Sequence, residues 1–374
     1  MNVVFTCGGT GGHINPGIAV ANVWKERHPD SKILFIGGYG NMEEQLVPKA
    51  GYEIKLFSAF GLERGKDWNS LKMNARAIRC AVDAIFKCKK LFRELKPDVI
   101  VGTGGYASFP ALMAGSMLGI PTCVHEANAM PGLTTRLIAN RVSKVLVCFP
   151  ESAKYYRHPE RVEVVGMPVR REFIYTKKED ARKTLGLDSR PVIVSTFGSQ
   201  GARSMNEVTA KLMKLEQDAG FPFQHIHAVG SYGWDWMPDY VRDQGVDLEK
   251  ADGIEMKEYI YNMPEVMAAA DVVISRAGAG SCNEIAASGT PCILIPSPNV
   301  TDNHQEKNAR ALAATGGAEL VLEKDCTEQV LMEKINSILA DPVRYSEMSR
   351  SLQNMVVPDC ADRLCDIMES LIKK

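Results

Sequence analysis

The chain has 374 residues, 45% of them apolar and 24% charged, with a formal net charge of −1. That length suggests two domains, and that composition is ordinary for a globular protein. Near-zero charge gives no bulk attraction for nucleic acid, so any basic surface must be local.

The ten cysteines contain no C-x-x-C pair, which argues against a zinc site and a disulfide scaffold and suits a reducing cytosol. No apolar run approaches the ~20 residues needed to cross a bilayer. A strand starting within the first three residues leaves no secretory signal to expect.

The run Asn2–Thr6 reads as a strand, and Gly8-Gly9-Thr10-Gly11-Gly12-His13 as a tight loop before a helix over Gly17 to Arg27. Strand, glycine loop and helix make an anion site, because free N–H groups and the helix dipole converge there. A P-loop would need Lys-Ser/Thr after the last glycine, and His13-Ile14 stand there instead. A dinucleotide loop would need a third glycine where Ile14 is. The next strand, Lys32–Ile36, ends in Gly37-Gly38 with no acidic residue for a ribose, which argues against an NAD site.

Further strands are expected at Ile54–Phe57, Val99–Val101, Cys123–His125, Lys144–Val147 and Val162–Val165. Their alternation with helical stretches implies a parallel α/β sheet covered on both faces. Between them, Leu71, Ala75, Ile78, Val82, Ile85, Leu91 and Leu95 fall at helical spacing, with eight lysines and arginines around them and only Asp83 and Glu94 in opposition. A basic amphipathic helix suits an anionic membrane surface; the alternative is an ordinary helix packed on the sheet.

The loop Gly102-Thr103-Gly104-Gly105-Tyr106 follows a strand and is a second phosphate-type loop, unless its glycines serve only close packing. His125-Glu126-Ala127-Asn128-Ala129-Met130-Pro131-Gly132 ends another strand with a histidine, a carboxylate and an amide. These could position a hydroxyl and an amide group, or could cap a helix and tie the loop down.

The polar stretch Glu172–Arg190 reads as a linker and an opening helix, after which the rhythm restarts. Strands are expected at Pro191–Phe197, His225–Val229, Gly253–Met256, Val272–Ser275, Cys292–Ile295 and Ala318–Val321. Gly198-Ser199-Gln200-Gly201-Ala202-Arg203 is a third phosphate-type loop. Ser275 to Ile285 ends a strand, turns through small residues and carries Glu284 early in a helix. A carboxylate there can accept from both ribose hydroxyls while a diphosphate meets the helix start; the alternative is a plain dipole-type charge. The polar loop Pro296 to Asn308 could read sugar hydroxyls with its amides and His304, or be plain surface.

In series, Gly8 to His13, Gly104-Gly105-Tyr106, His125-Glu126-x-Asn128, Gly198 to Arg203, Gly278 to Glu284 and His304-Gln305-x-x-Asn308 closely resemble the MurG family, over nearly the whole chain. These are bacterial transferases that add N-acetylglucosamine to undecaprenyl-diphosphate-linked muramyl-pentapeptide (lipid I), making lipid II. The resemblance implies a GT-B fold, with two Rossmann-like parallel-sheet domains facing across a cleft. It implies an N-terminal, acceptor- and membrane-facing domain over 1–166, a UDP-sugar-binding domain over 167–345, and a last helix within about 346–374 crossing back to the first domain. It also implies an inverting transfer with no obligatory metal or cofactor, and a place on the cytoplasmic face of the membrane, peripheral to it and beside other cell-wall synthesis proteins.

Carried over by motif, Thr10, Gly11, Gly12 and Asn128 meet the donor from the N-terminal side. Arg170 and Ser199 meet its phosphates, and Ile260 lies beside the uracil. Ala279, Gly280, Ser281, Cys282, Asn283 and Glu284 hold diphosphate and ribose, and Gln305 reads the sugar. Gly104, Gly105 and Tyr106 are candidates for the acceptor's diphosphate, as is the first glycine loop, since both are anion sites. His13 is the candidate base, with Glu126 its rival. The chain departs from the family at Ala127, usually glutamine, and at His304, where the family often has a glutamine pair. Two rival readings stand beside it: another enzyme on the same architecture, a UDP-N-acetylglucosamine 2-epimerase, and a catalytically idle UDP-sugar-binding subunit.

Overall fold

The computed structural model describes residues 1–61, 67–128, 130–248, 251–300 and 303–373. Ala129, Thr301 and Asp302, which fall in motifs read above, lie outside the described residues. The chain forms two compact units, Met1–Arg170 together with the chain from Val357 onward, and Arg171–Val356.

The first unit contains β1 (Asn2–Thr6), α1 (Gly11–Arg27), β2 (Lys32–Gly38), α2 (Glu43–Lys49), β3 (Glu53–Phe57), α3 (Trp68–Leu95), β4 (Val99–Gly102), α4 (Ser108–Met117), β5 (Thr122–Glu126), α5 (Leu133–Ile138), β6 (Lys144–Val147) and β7 (Val162–Val164). Its sheet has the order β3-β2-β1-β4-β5-β6-β7, and every pair is parallel. The central strands are fully buried β-branched runs, as expected of a sheet covered on both faces.

The second unit contains α6 (Glu172–Tyr175), α7 (Lys178–Thr184), β8 (Val192–Thr196), α8 (Arg203–Asp218), β9 (Gln224–Ala228), α9 (Met237–Asp243), β10 (Ile254–Lys257), α10 (Met263–Ala269), β11 (Val272–Ser275), α11 (Ala279–Ser288), β12 (Cys292–Leu294), α12 (His304–Ala314), β13 (Ala318–Leu320), α13 (Glu328–Leu339) and α14 (Pro342–Gln353). Its order, β10-β9-β8-β11-β12-β13, repeats the six-strand pattern of the first unit, again all parallel. The last helix, α15 (Cys360–Ile372), belongs to the first unit, where Leu364, Cys365 and Met368 join the core containing Val20 and Trp24. Fully burying such a side chain is worth about 1.5–3 kcal/mol. Arg27 of α1 pairs with Asp362 at 2.8 Å and Asp366 at 2.6 Å, which fixes the register of the two helices.

In each sheet, strand order reverses direction between the first strand of the unit and its fourth. Ligands of such sheets sit beyond the carboxyl ends of those two strands. The reversal brings the loop after β1 beside the loop after β4, and the loop after β8 beside the loop after β11. Four of the glycine-rich stretches thus form two pairs.

Three expectations are corrected. Helix α1 begins at Gly11, not Gly17, because Pro16 costs it one ladder hydrogen bond without ending it. Gly11, Gly12 and His13 are therefore the first helical turn. In α3, only the C-terminal half of the stripe read from the spacing packs on the protein: Ile85, Leu91 and Leu95 lie partly buried against the core, whereas Leu71, Ala75, Ile78 and Val82 are exposed, as are Trp68 and Phe86. The buried face is Ala77, Ala84, Cys88 and Phe92, of which Cys88 and Phe92 join the core that contains Ala111, Leu112 and Ala114 of α4. The stretch Glu172–Arg190 folds into two short helices, α6 and α7.

Candidate active site

In the first unit the loops after β1 and β4 interlock through glycine. A Cβ on Gly105 would lie 2.1 Å from the Gly8 carbonyl oxygen, and one on Gly8 would lie 2.5 Å from the Ala107 Cβ. The glycines of the second loop therefore serve close packing whether or not they also meet a ligand.

This packing sets His13 in place. Its Nδ1 lies 3.2 Å from the Thr103 carbonyl oxygen, and the Thr103 hydroxyl donates to the His13 carbonyl at 2.6 Å. A carbonyl can only accept, so Nδ1 carries the proton and the neutral ring keeps its lone pair on Nε2. Burial among these loops lowers the proton affinity of His13 below the ordinary imidazole value, opposed by the charge of Glu126, the Thr103 carbonyl and the charge of Glu43. A neutral imidazole with a defined free nitrogen is the form a general base requires.

Glu126, the rival, is almost fully buried. Its Oε1 accepts from the Asn128 backbone at 3.0 Å and from the Asn128 side chain at 2.9 Å, while Oε2 accepts from Gly132 at 2.9 Å. Both oxygens organise the loop leading into α5. His125 is buried too, and its Nε2 donates to the Gly166 carbonyl at 2.9 Å. Thr10 to His13, Gly104 to Tyr106, and Glu126 with Asn128 thus gather at the carboxyl ends of the adjacent strands β1, β4 and β5.

In the second unit, Gly198 and Gly201 take left-handed backbone (φ +92° and +78°), and a Cβ on Gly201 would lie 2.1 Å from the Val229 carbonyl oxygen. The carbonyls of Ser199 and Gln200 accept from Ser231 and Tyr232, so the loop holds its shape through backbone. Opposite it, α11 opens at the N-cap Gly278 with Ala279, Gly280 and Ser281 partly exposed and their amides at the positive helix end. Glu284 is partly exposed on the same helix. Cys282 and Ile260 are buried, which leaves their backbone as the part able to meet a ligand. Asn283 donates its side chain to the Ala279 carbonyl at 2.8 Å, within its own helix. Gln305 Oε1 accepts from the Ser297 amide at 2.9 Å, and Asn308 donates to the Ala277 carbonyl at 3.0 Å, so α12 is tied to the loop before it and to the loop after β11. Arg170 is partly buried at the last position of the first unit.

Sequence reasoning missed two buried charges beside the strand-end loops. Arg276 donates to the Ile295 carbonyl at 3.1 Å and pairs with Glu323 at 2.6 Å, which joins the ends of β11, β12 and β13. Glu43 holds the first glycine loop from behind: its Oε2 accepts from the Gly9 amide at 3.0 Å. The only signal for the second was an acidic residue in a first helical turn soon after Gly37-Gly38.

Two Rossmann-like units, each with paired glycine loops at its switch point, define the GT-B architecture. The glycosyltransferase family 28 N-terminal domain matches residues 3–147, and the family 28 C-terminal domain matches residues 192–364. The chain is 37% identical to the UDP-N-acetylglucosamine–N-acetylmuramyl-(pentapeptide) pyrophosphoryl-undecaprenol N-acetylglucosamine transferase of Acetivibrio thermocellus, over 100% of this chain and 99% of the relative. It is 38% identical to the protein of that name from Caldanaerobacter subterraneus, over 99% and 100%. The chain belongs to this family of transferases. Among solved structures, the crystal structure of Acinetobacter baumannii MurG superposes with a TM-score of 0.70, at 24% identity and 99% coverage of both chains. A UDP-GlcNAc 2-epimerase from Neisseria meningitidis bound to UDP-GlcNAc gives 0.66, at 15% identity and coverage of 99% and 100%. These two likenesses are of fold.

Proposed function

We propose that this enzyme transfers N-acetylglucosamine from UDP-N-acetylglucosamine to the 4-hydroxyl of undecaprenyl-diphosphate-linked N-acetylmuramyl-pentapeptide, inverting the anomeric centre and releasing UDP. The observation that carries the chemistry is His13, whose Nδ1 proton is committed to Thr103 and whose Nε2 is left as a base. The acceptor hydroxyl attacks the anomeric carbon as Nε2 takes its proton. The bond to the diphosphate breaks, and negative charge develops on UDP. Ser199, Arg170 and the first amides of α11 stabilise that charge, and Glu284 accepts from the ribose hydroxyls. Ile260 offers backbone to the uracil and Gln305 reads the sugar. Glu126 serves as the organiser of the Asn128 loop, since its two oxygens already accept three hydrogen bonds. Gly104, Gly105 and Tyr106 face the acceptor.

The lipid-linked acceptor requires approach to a membrane. The exposed Trp68, Leu71, Ile78, Val82 and Phe86 of α3, with the basic side chains around them, suit peripheral binding to an anionic surface. No helix among the described residues is long and apolar enough to cross a membrane. We read the enzyme as working at the cytoplasmic face, where its product feeds cell-wall growth, shape and division.

The deciding experiment is UDP release from UDP-N-acetylglucosamine with and without a short-chain lipid I analogue. Acceptor-dependent release with a disaccharide product by mass supports the reading. UDP binding without turnover would make the chain an idle subunit, and acceptor-free conversion of the donor would make it an epimerase.

A further inference from the structure

The carboxylate of Glu43 lies behind the first glycine loop and accepts from its backbone. Glu43 is fully buried. Its Oε2 accepts from Gly9 at 3.0 Å, and its Oε1 accepts from Gly38 at 2.8 Å and from the Asn41 side chain at 3.4 Å. The surrounding glycines make room for it. A Cβ on Gly37 would lie 2.5 Å from the Glu43 Cγ, and one on Gly8 would lie 3.2 Å from its Oε1. The network continues, since Tyr106 donates its hydroxyl to the Asn41 side-chain oxygen at 3.0 Å. One carboxylate therefore ties the end of β2, the loop after β1 and, through Asn41, the loop after β4.

Two consequences follow from chemistry alone. In a dinucleotide site the acid at the end of the second strand faces a ribose. Here the acid reaches that end from α2 and spends both oxygens on backbone, so the first unit offers no such ribose contact. The Gly9 amide is likewise committed, and an anion arriving at this loop would meet the amides at the start of α1 instead.

We propose that Glu43 is a positioning residue for the transfer, an internal anion that fixes the first glycine loop and so holds His13 and Tyr106 in working geometry. The proposal rests on the reading of His13 as the base. Its structural part is tested without the reaction. In the wild-type enzyme the Gly9 amide, which lies in a loop, should exchange slowly with deuterated solvent; fast exchange overturns the proposal. In Glu43→Gln, one of the two backbone donors meets an amide NH2 in place of an oxygen. Exchange over residues 7–13 should quicken, turnover should fall ~10- to 100-fold, and UDP affinity, a property of the second unit, should stay at the wild-type value. Faster exchange with unchanged turnover would overturn the positioning role, as would a loss that merely tracks the unfolded fraction seen by circular dichroism. If Glu43→Gln does not fold, the wild-type exchange at Gly9 still decides. A wild-type enzyme with a protected Gly9 and no acceptor-dependent UDP release would instead sink the functional reading and leave the Glu43 lock standing.

Discussion

His13 and Thr103 hold each other twice: ring Nδ1 to the Thr103 carbonyl at 3.2 Å, and the Thr103 hydroxyl to the His13 carbonyl at 2.6 Å. The first bond selects the tautomer and the second fixes the helical turn that carries it. His13→Ala should lower turnover about 10²- to 10⁴-fold while UDP affinity stays unchanged. Steady-state kinetics beside UDP titration checks this, and near-normal turnover would remove His13 from the role of base. Because its proton affinity is lowered, His13 is neutral at pH 7, so the acid limb of the turnover profile should lie below pH 6.5.

Gly104 borders this pair and has φ +104°. A Cβ there would lie 2.6 Å from the His13 Nδ1. Gly104→Ala should push the ring from Thr103 and cost turnover, with backbone strain adding roughly 1–3 kcal/mol of destabilisation. Thr103→Val keeps the shape and loses one hydrogen bond, worth about 1 kcal/mol. The alanine variant should therefore be the more damaging of the two in both turnover and urea midpoint, and a reversed order would refute the packing account.

Glu284 is the carboxylate assigned to the ribose. Glu284→Gln should weaken UDP binding about 10- to 100-fold, the range of a charged hydrogen bond at about 1.5–3 kcal/mol. Isothermal titration with UDP reads this directly, and unchanged affinity would leave Glu284 as a helix-end charge only.

The second unit buries a polar chain with a consequence for acid stability. Ser195 Oγ lies 2.7 Å from His225 Nε2 and 2.6 Å from His227 Nδ1, and His225 Nδ1 reaches Glu216 at 2.8 Å. Burial, and secondarily the neighbouring His225, lowers the His227 pKa from 6.5 to about 3. The unfolded chain binds this proton below pH 6.5 and the folded one does not. Stability is therefore full above pH 6.5 and falls toward pH 3, with a slope of up to about 1.4 kcal/mol per pH unit from this group. His227→Gln should flatten the slope of the urea midpoint against pH; an unchanged slope would clear His227.

The apolar face of α3 predicts membrane affinity. Phe86→Ser with Ile78→Ser should reduce sedimentation with anionic vesicles several-fold while leaving UDP binding intact. Added salt should weaken the wild-type interaction, since surface attraction is screened within ~8 Å at physiological ionic strength. Equal sedimentation of variant and wild type would refute the assignment.

The strands of the described residues were legible between glycine punctuation, the central ones as short β-branched runs, because a strand covered on both faces must be apolar along its length. The motif order was enough to place the chain in its family. Which loops meet could not be read along the chain. Strand order decided that, by bringing the turn after β1 to the turn after β4 and the turn after β8 to the turn after β11. The outward face of α3 was hidden for a related reason. Its periodicity shows two faces, and only the partner α4, whose Ala111, Leu112 and Ala114 share a core with Cys88 and Phe92, determines which one is buried. Glu43 and Arg276 look like any surface charge in a sequence. Their burial depends on glycine cradles and carbonyls from distant strands, which exist only once the sheet has formed.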